Sequence, residues 1–301
     1  MIRVLGLGDN VCDVYLHKGI MYPGGQALNF AVYARRLGAS SDFMGVFGSD
    51  EIGEYNKKIL GELEIGYSHC RTYVGENGFA RVTIVDGDRV FKGSNRGGVI
   101  QAHPIFLDAA DKEYIGGFSA VHTTNNGFLD GLLPELKELP PLVSYDFSYR
   151  WNEEDRVERV CPNVDIAFLS CADLDDCQAR QLLEKLHGYG TAVVVGTRGS
   201  RGAIVYDGSQ FYTQLPHLVQ PVDTMGAGDS FATAMIVTIL QEMEDSGKNF
   251  RDSEQLAEAI PKALEKAAEF SAQTCLVDGA FGFGTEVPAR LRPRIYGDVF
   301  Q

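Results

Sequence analysis

Apolar positions along the chain fall into two patterns. Short apolar runs over residues 2–7, 43–47, 120–123, 142–146, 166–169 and 192–196 have the length of strands buried on both faces. Longer stretches over 51–64, 173–187, 227–243 and 253–273 repeat their apolar residues at helical spacing, and a further helix through 30–34 ends at Leu37-Gly38. From residue 104 onward the two patterns alternate, which predicts a mostly parallel sheet covered by helices. Residues 14–21, 67–73, 79–85 and 89–91 depart from this rhythm. They read as extended, and Asp86-Gly87-Asp88 is a hairpin-turn signal. Together they predict a small antiparallel sheet set into the α/β chain as a lid, over about 13–22 and 67–98. A second hairpin, over 203–206 and 210–213, turns at Asp207-Gly208-Ser209. Beyond Gly284, Arg290, Arg292 and Arg294 with Pro288 and Pro293 predict an irregular surface segment.

Composition narrows the function classes. The 301 residues are 45% hydrophobic and 23% charged, as in a soluble globular protein, and we read 1–301 as one domain. A net charge of −14 argues against binding to nucleic acid or to an anionic membrane. Any polyanionic ligand must therefore be held by local donors. The apolar run 231–240 is too short to span a bilayer. Residues 1–8 read as a strand and not as a targeting segment. The six cysteines form no Cys-x-x-Cys pair, which fits reduced thiols in the cytoplasm and no zinc site.

The most informative stretch is Asp223-Thr224-Met225-Gly226-Ala227-Gly228-Asp229, directly ahead of a helical pattern through Phe231, Ala234, Met235, Thr238, Ile239 and Met243. Gly226-Ala227-Gly228 is expected in the first helical turn. The amides there lack internal partners, and small side chains let an anion approach them. A carboxylate at the same mouth repels a resting phosphate but can accept a proton from a hydroxyl that attacks one. An anion cradle beside a base suggests phosphoryl transfer to an alcohol. The plainer alternative is an ordinary turn and cap. Two further junctions are candidates. Gly24-Gly25 with Asn29 lies at a strand-to-helix junction, where Asn29 offers a donor and an acceptor to a hydroxyl pair. Asp9, Asn10 and Asp13 follow the first strand, where an open α/β sheet places its ligand crevice.

The seven-residue stretch resembles the signature of the ribokinase-like (PfkB) family of carbohydrate kinases, and the resemblance extends from Gly8 to about Gly282. It implies a three-layer α/β/α sandwich with a β lid. It implies Asp229 as catalytic base and the amides of Gly226, Ala227 and Gly228 as stabilisers of the transferring phosphoryl group. Asp13, Gly24, Gly25 and Asn29 match sugar-binding positions, with Asp9 and Asn10 beside them. Thr197, Gly199 and Gly202 match a nucleotide-binding Thr-x-Gly-x-x-Gly segment, near which Arg201 adds charge or is merely solvated. ATP and Mg²⁺ are implied, as is K⁺ held by the backbone around Asp223 and Thr224. The family often carries Asn-x-x-Glu where this chain has Ser170-Cys171-Ala172-Asp173. Asp173 is thus read either as a carboxylate toward magnesium or as a helix cap. Arg150 is read as a phosphate contact or as an exposed arginine. A homodimer is among the assemblies the resemblance admits.

Three segments, 8–15, 88–91 and 146–151, are more similar to fructoselysine 6-kinases than to ribokinases. This implies a glycated amino acid as acceptor, with Arg89 read either as meeting its carboxylate or as a solvated strand residue. The alternatives are a kinase of free fructose or ribose and a catalytically silent sugar-binding regulator. A dinucleotide-binding oxidoreductase is disfavoured, because Gly6-Leu7-Gly8 is followed by Val11 where Gly-x-Gly-x-x-Gly needs glycine.

Overall fold

The structure is a computed structural model that describes residues 2–85, 88–248, 250 and 252–297. In chain order the elements are β1 (Arg3–Gly8), β2 (Val11–Tyr15), β3 (Ile20–Gly24), α1 (Gln26–Arg36), β4 (Ser40–Gly48), α2 (Glu51–Glu62), β5 (Arg71–Tyr73), β6 (Gly78–Val85) and β7 (Asp88–Ser94). There follow α3 (Ala109–Gly116), β8 (Ala120–Thr124), α4 (Leu133–Lys137), β9 (Leu142–Ser148), α5 (Glu154–Val160), β10 (Ile166–Ser170), α6 (Asp176–Gly188) and β11 (Val193–Thr197). The last elements are β12 (Ala203–Tyr206), β13 (Phe211–Gln214), α7 (Ala227–Ser246), α8 (Ser253–Thr274), β14 (Thr285–Glu286) and α9 (Arg292–Tyr296).

Among the described residues the large sheet runs β13-β12-β11-β10-β9-β8-β1-β4-β5. Its strands from β11 to β5 pair in parallel, and only the β11–β12–β13 edge is antiparallel. Parallel strands must bury both faces, and the side chains show it. Val194 packs with Leu183 and Leu186 of α6 on one face, while Val193 and Val195 pack with α7 and α8 on the other. Helices thus cover both faces, giving the expected three-layer sandwich. From β1 the chain adds β4 and β5 on one side, and later β8, β9, β10 and β11 on the other. The strand order therefore reverses between β1 and β8. A crevice opens at such a point beyond the carboxyl ends of the strands.

The smaller sheet has the order β14-β3-β2-β6-β7. It departs from the sequence reading in four ways. The extended segment expected at 14–21 is two strands, β2 and β3, reversed at Gly19 with φ 68°. The sheet is not wholly antiparallel, because β2 and β6 pair in parallel. Residues 71–73 belong to the large sheet, parallel to β4, so the lid does not include them. The tail is not irregular: β14 adds a strand against β3, and Ile295 of α9 is buried with Cys12, Val14, Phe79 and Val287. The hairpin from β6 to β7 forms as expected, with Asp86 and Gly87 of its turn outside the described residues. No described helix is long and apolar enough to cross a membrane.

Candidate active site

Helix α7 begins at Ala227, as the apolar spacing over 227–243 predicts, while Gly226, expected within its first turn, is instead its N-cap and sits in a left-handed conformation at φ 75°. A Cβ at that position would come within 2.3 Å of Tyr33 Oη and 2.9 Å of Ala280 Cβ. Gly226 is thus required both by its backbone and by what lies against it. Gly228 has open space where its Cβ would be. Asp223 anchors the approach to this turn. Its carboxylate accepts from the amides of Met225 and Gly279, each at 3.0 Å, and from the Tyr15 hydroxyl of β2.

Two clefts meet at this helix start. One, of 320 Å³, is lined by Thr197, Gly199 and Gly202, by the apolar segment from Leu215 to Val219, and by Ala227, Gly228 and Ala268. The other, of 840 Å³, lies between the small sheet and the crevice of the large one. Its wall includes Asp9, Asp13, Gly25, Asn29, Asn126, Arg150 and Asp229. Ala227 and Gly228 face the first and Asp229 faces the second, so the α7 N-terminus is the partition between them.

Besides Asp13, the carboxylates Asp9 and Asp229 line the second cleft, and Asp146 lies behind its wall against Gln26. Asp9 follows β1 and accepts from the amides of Gln26 at 2.9 Å and Ala27 at 3.2 Å. It therefore caps α1, whose own N-cap Gly25 has no side chain to do so. Asp9 also accepts from Thr124 at 3.1 Å, which bridges the switch point between β1 and β8. Burial pushes its carboxyl above the usual range, against the pull of those donors. Asp229 is raised to about 6, chiefly by burial; the Asn29 amide, donating at 2.6 Å, opposes this, and the Asp9 charge adds to it. Asp146, near the carboxyl end of β9, is raised to about 7 by burial and then by the Asp229 charge. It accepts from the Ser148 amide at 2.6 Å and from Gln26 Nε2 at 3.3 Å, and Asn126 donates to the same Gln26 at 2.8 Å. The sequence reading did not single out Asp146 or Gln26 as site residues. A carboxylate ending a parallel strand was the available signal.

Other expected residues are placed as follows. Asn29 Oδ1 is buried without a hydrogen-bond partner, an acceptor waiting for a donor from the cleft. Asp13 lines the cleft, and Gly24 packs on its carboxylate, where a Cβ would come within 2.9 Å. Asn10 is held within the strand framework. Its amide donates to the Val46 carbonyl and its oxygen accepts from Asn56, so it braces the strands and does not line the cleft. Arg150 lines the cleft but pairs with Glu153 at 2.8 Å. Arg201 is committed to the carbonyls of Ala172 and Leu174 at 2.6 and 2.7 Å. Asp173 is exposed and lines neither cleft. The cap of α6 is Asp175, which forms a reciprocal capping box with Gln178. Among the described residues no group of three His, Cys, Asp or Glu side chains is placed to hold a metal. Arg89 lies on β7, and its side chain is outside the described residues.

The fold has known counterparts. The structure of a ribokinase from Arabidopsis thaliana complexed with ribose and ATP superimposes with a TM-score of 0.75 at 20% identity, covering 93% of this chain and 94% of that one. A fructokinase from Xylella fastidiosa with bound ATP gives 0.75 at 21% identity over 99% of both. These likenesses establish the ribokinase-like fold. In sequence, the fructosamine kinase FrlD of Bacillus subtilis is 38% identical over 284 residues, 94% of each chain. The fructoselysine 6-kinase of Escherichia coli is 32% identical over 230 residues, 76% of this chain and 86% of that one. Residues 4–276 match the pfkB family of carbohydrate kinases, with the glycine-capped helix start and its carboxylate inside the match, and the chain belongs to that family.

Proposed function

We propose that this kinase transfers the γ-phosphoryl group of ATP to the 6-hydroxyl of fructoselysine or a related glycated amino acid. The observation that carries the acceptor is the 38% identity to a fructosamine kinase over 94% of both chains. The geometry supports the reaction. The cleft beside Thr197, Gly199 and Gly202 suits a nucleotide, with apolar residues for the base and the α7 amides for the phosphates. The sugar occupies the larger cleft, where Asp13, Gly25 and Asn29 meet its hydroxyls and the partnerless Asn29 Oδ1 gains a donor. Asp229 takes the proton of the attacking hydroxyl. Its raised carboxyl is a stronger base than an ordinary aspartate yet still largely ionised at neutral pH. The amides of Gly226, Ala227 and Gly228 stabilise charge on the group in flight, since a loose phosphoryl transition state is served mainly by positioning and electrostatics.

The nucleotide's phosphates and water would hold Mg²⁺, which would supply charge neutralisation there. The turn at Asp223 and Thr224 is the proposed place for K⁺. The small sheet, without residues 71–73, acts as the lid, and one kinase domain spans 1–301. The cytoplasm suits six free cysteines, and sedimentation would check for a homodimer.

The test is phosphorylation by ATP of fructoselysine, fructose and ribose side by side. The proposal expects the highest kcat/KM with fructoselysine, by about a hundredfold if two charge-assisted contacts hold the amino-acid part. Equal or better use of fructose or ribose would remove the glycated acceptor and leave a kinase of free sugars.

A further inference from the structure

A sugar alone does not account for the outer half of the larger cleft. Three aromatic side chains at its mouth are mostly exposed: Phe91 58%, Phe128 52% and Tyr149 64%. Exposed apolar side chains gathered at one cleft rim mark a binding surface. The backbone is strained there too. Among the described residues five non-glycine residues have positive φ, and of these Arg96 (55°) and Phe128 (56°) line the cleft and Ser148 (51°) adjoins Tyr149. Such strain persists where the surroundings enforce it, commonly at ligand sites.

Arg96 is one of two arginines on this wall. Its amide donates to Ser94 Oγ at 3.1 Å, and its carbonyl accepts from Gln101 Nε2 at 2.6 Å, which fixes the loop. Among the described residues no carboxylate pairs with its guanidinium. Arg150, on the same wall, is paired with Glu153. In a chain of net charge −14, an arginine kept out of ion pairs at the cleft mouth offers a local anion site.

The geometry points to Arg96 as the residue that holds the carboxylate of the acceptor's amino-acid part, with Phe128 and Tyr149 packing against its carbon chain. This rests on the glycated-acceptor reading. Arg96 is thereby a specificity residue, remote from the reacting hydroxyl. A guanidinium binds a carboxylate through two parallel N–H donors, a geometry that lysine lacks.

The test compares two acceptors of the same sugar: fructoselysine, and fructosyl-butylamine, which has the alkyl chain but no carboxylate. Both are measured with wild type, Arg96→Gln and Arg96→Lys. In wild type the kcat/KM ratio should favour fructoselysine. Arg96→Gln should lower that ratio about tenfold, chiefly through KM, and Arg96→Lys should restore part of it. Arg150→Gln should leave the ratio near its wild-type value. An unchanged ratio in Arg96→Gln, with wild type active on both acceptors, overturns the role of Arg96 alone. Wild type inactive on both overturns the acceptor reading and this inference with it.

Discussion

The contact between Asn29 and Asp229 sets the pH at which the proposed base works. Burial pushes Asp229 up to about 6, and the amide of Asn29, donating at 2.6 Å, is the largest influence holding it down. Asn29→Ala removes that donor. A hydrogen bond to a charged group contributes about 1.5–3 kcal/mol. Asp229 is half-buried, and water replaces part of the lost donor, so about 1.4 kcal/mol is a reasonable net loss, equal to roughly one pKa unit. A base must be ionised, so activity falls as pH drops through its pKa. The acid limb of kcat/KM in the free enzyme should therefore move from near pH 6 in wild type to roughly pH 7 in the variant. The assay is quantification of phosphorylated sugar by mass spectrometry at subsaturating acceptor, over about pH 5 to 9. Titration of ATP and of the acceptor is common to both enzymes and cancels in the comparison. Asn29→Ala also loses a sugar contact, but that lowers the whole curve without displacing it. A limb that stays in place, or moves toward acid, would refute Asn29 as the group that keeps Asp229 ionised.

Other consequences can be checked independently. Asp229→Asn should lower kcat by about 10²–10⁴-fold, while calorimetry shows both substrates still bound; retention of a tenth of the activity would place the base elsewhere. Gly228→Ala should keep the wild-type melting temperature but lower kcat/KM for ATP, because its Cβ would enter open cleft; Gly226→Ala should lower stability, since its Cβ meets Tyr33 and Ala280. For Asp146→Asn the sign follows from a folded pKa of about 7, above the unfolded value: the wild-type carboxyl favours the folded state at low pH and loses that advantage as pH rises through 7. The variant should thus melt higher than wild type at about pH 8 and no higher at about pH 5, by calorimetry. Hydrogen exchange in β6 and β7 should slow when sugar binds, whereas exchange in β5, a strand of the large sheet, should not change.

What the sequence reveals depends on how local each constraint is. The signature 223–229 was readable because its pieces act together within one turn: glycines that a helix start needs, and a carboxylate that such a start does not need. Most of the parallel strands were readable because they are short runs rich in apolar residues. The small sheet was harder. Its strands are brought together from 11–24, 78–94 and 285–286, and β14 has only two residues, too few for any period to show. The turn at Gly19 was hidden because only His17 and Lys18 separate it from the apolar residues 14–16, and Ile20 and Met21 follow at once. Residues 71–73 alternate as an edge strand should, but nothing in them names β4 as the partner. Asn10 was hard to place because a polar residue after a strand can face a crevice or brace a neighbour, and its contact with Asn56 arises only in the fold. Asp146 and Gln26 lie 120 positions apart and acquire meaning only when β9 and α1 meet.

The meeting of Asp9, Asp146 and Asp229 also bears on how this enzyme can be improved. Three carboxyl groups pushed upward by burial, Asp146 and Asp229 also by neighbouring carboxylate charge, make the site a point of weakness in the folded chain. Replacing one by a neutral residue should relieve that weakness. A library ranked by heat resistance alone would then enrich substitutions at these positions, and those at Asp229 would be inert as kinases. Selection for robustness and selection for turnover pull in opposite directions here, so stabilising changes are better sought in the helices and the large sheet, with the three aspartates held fixed.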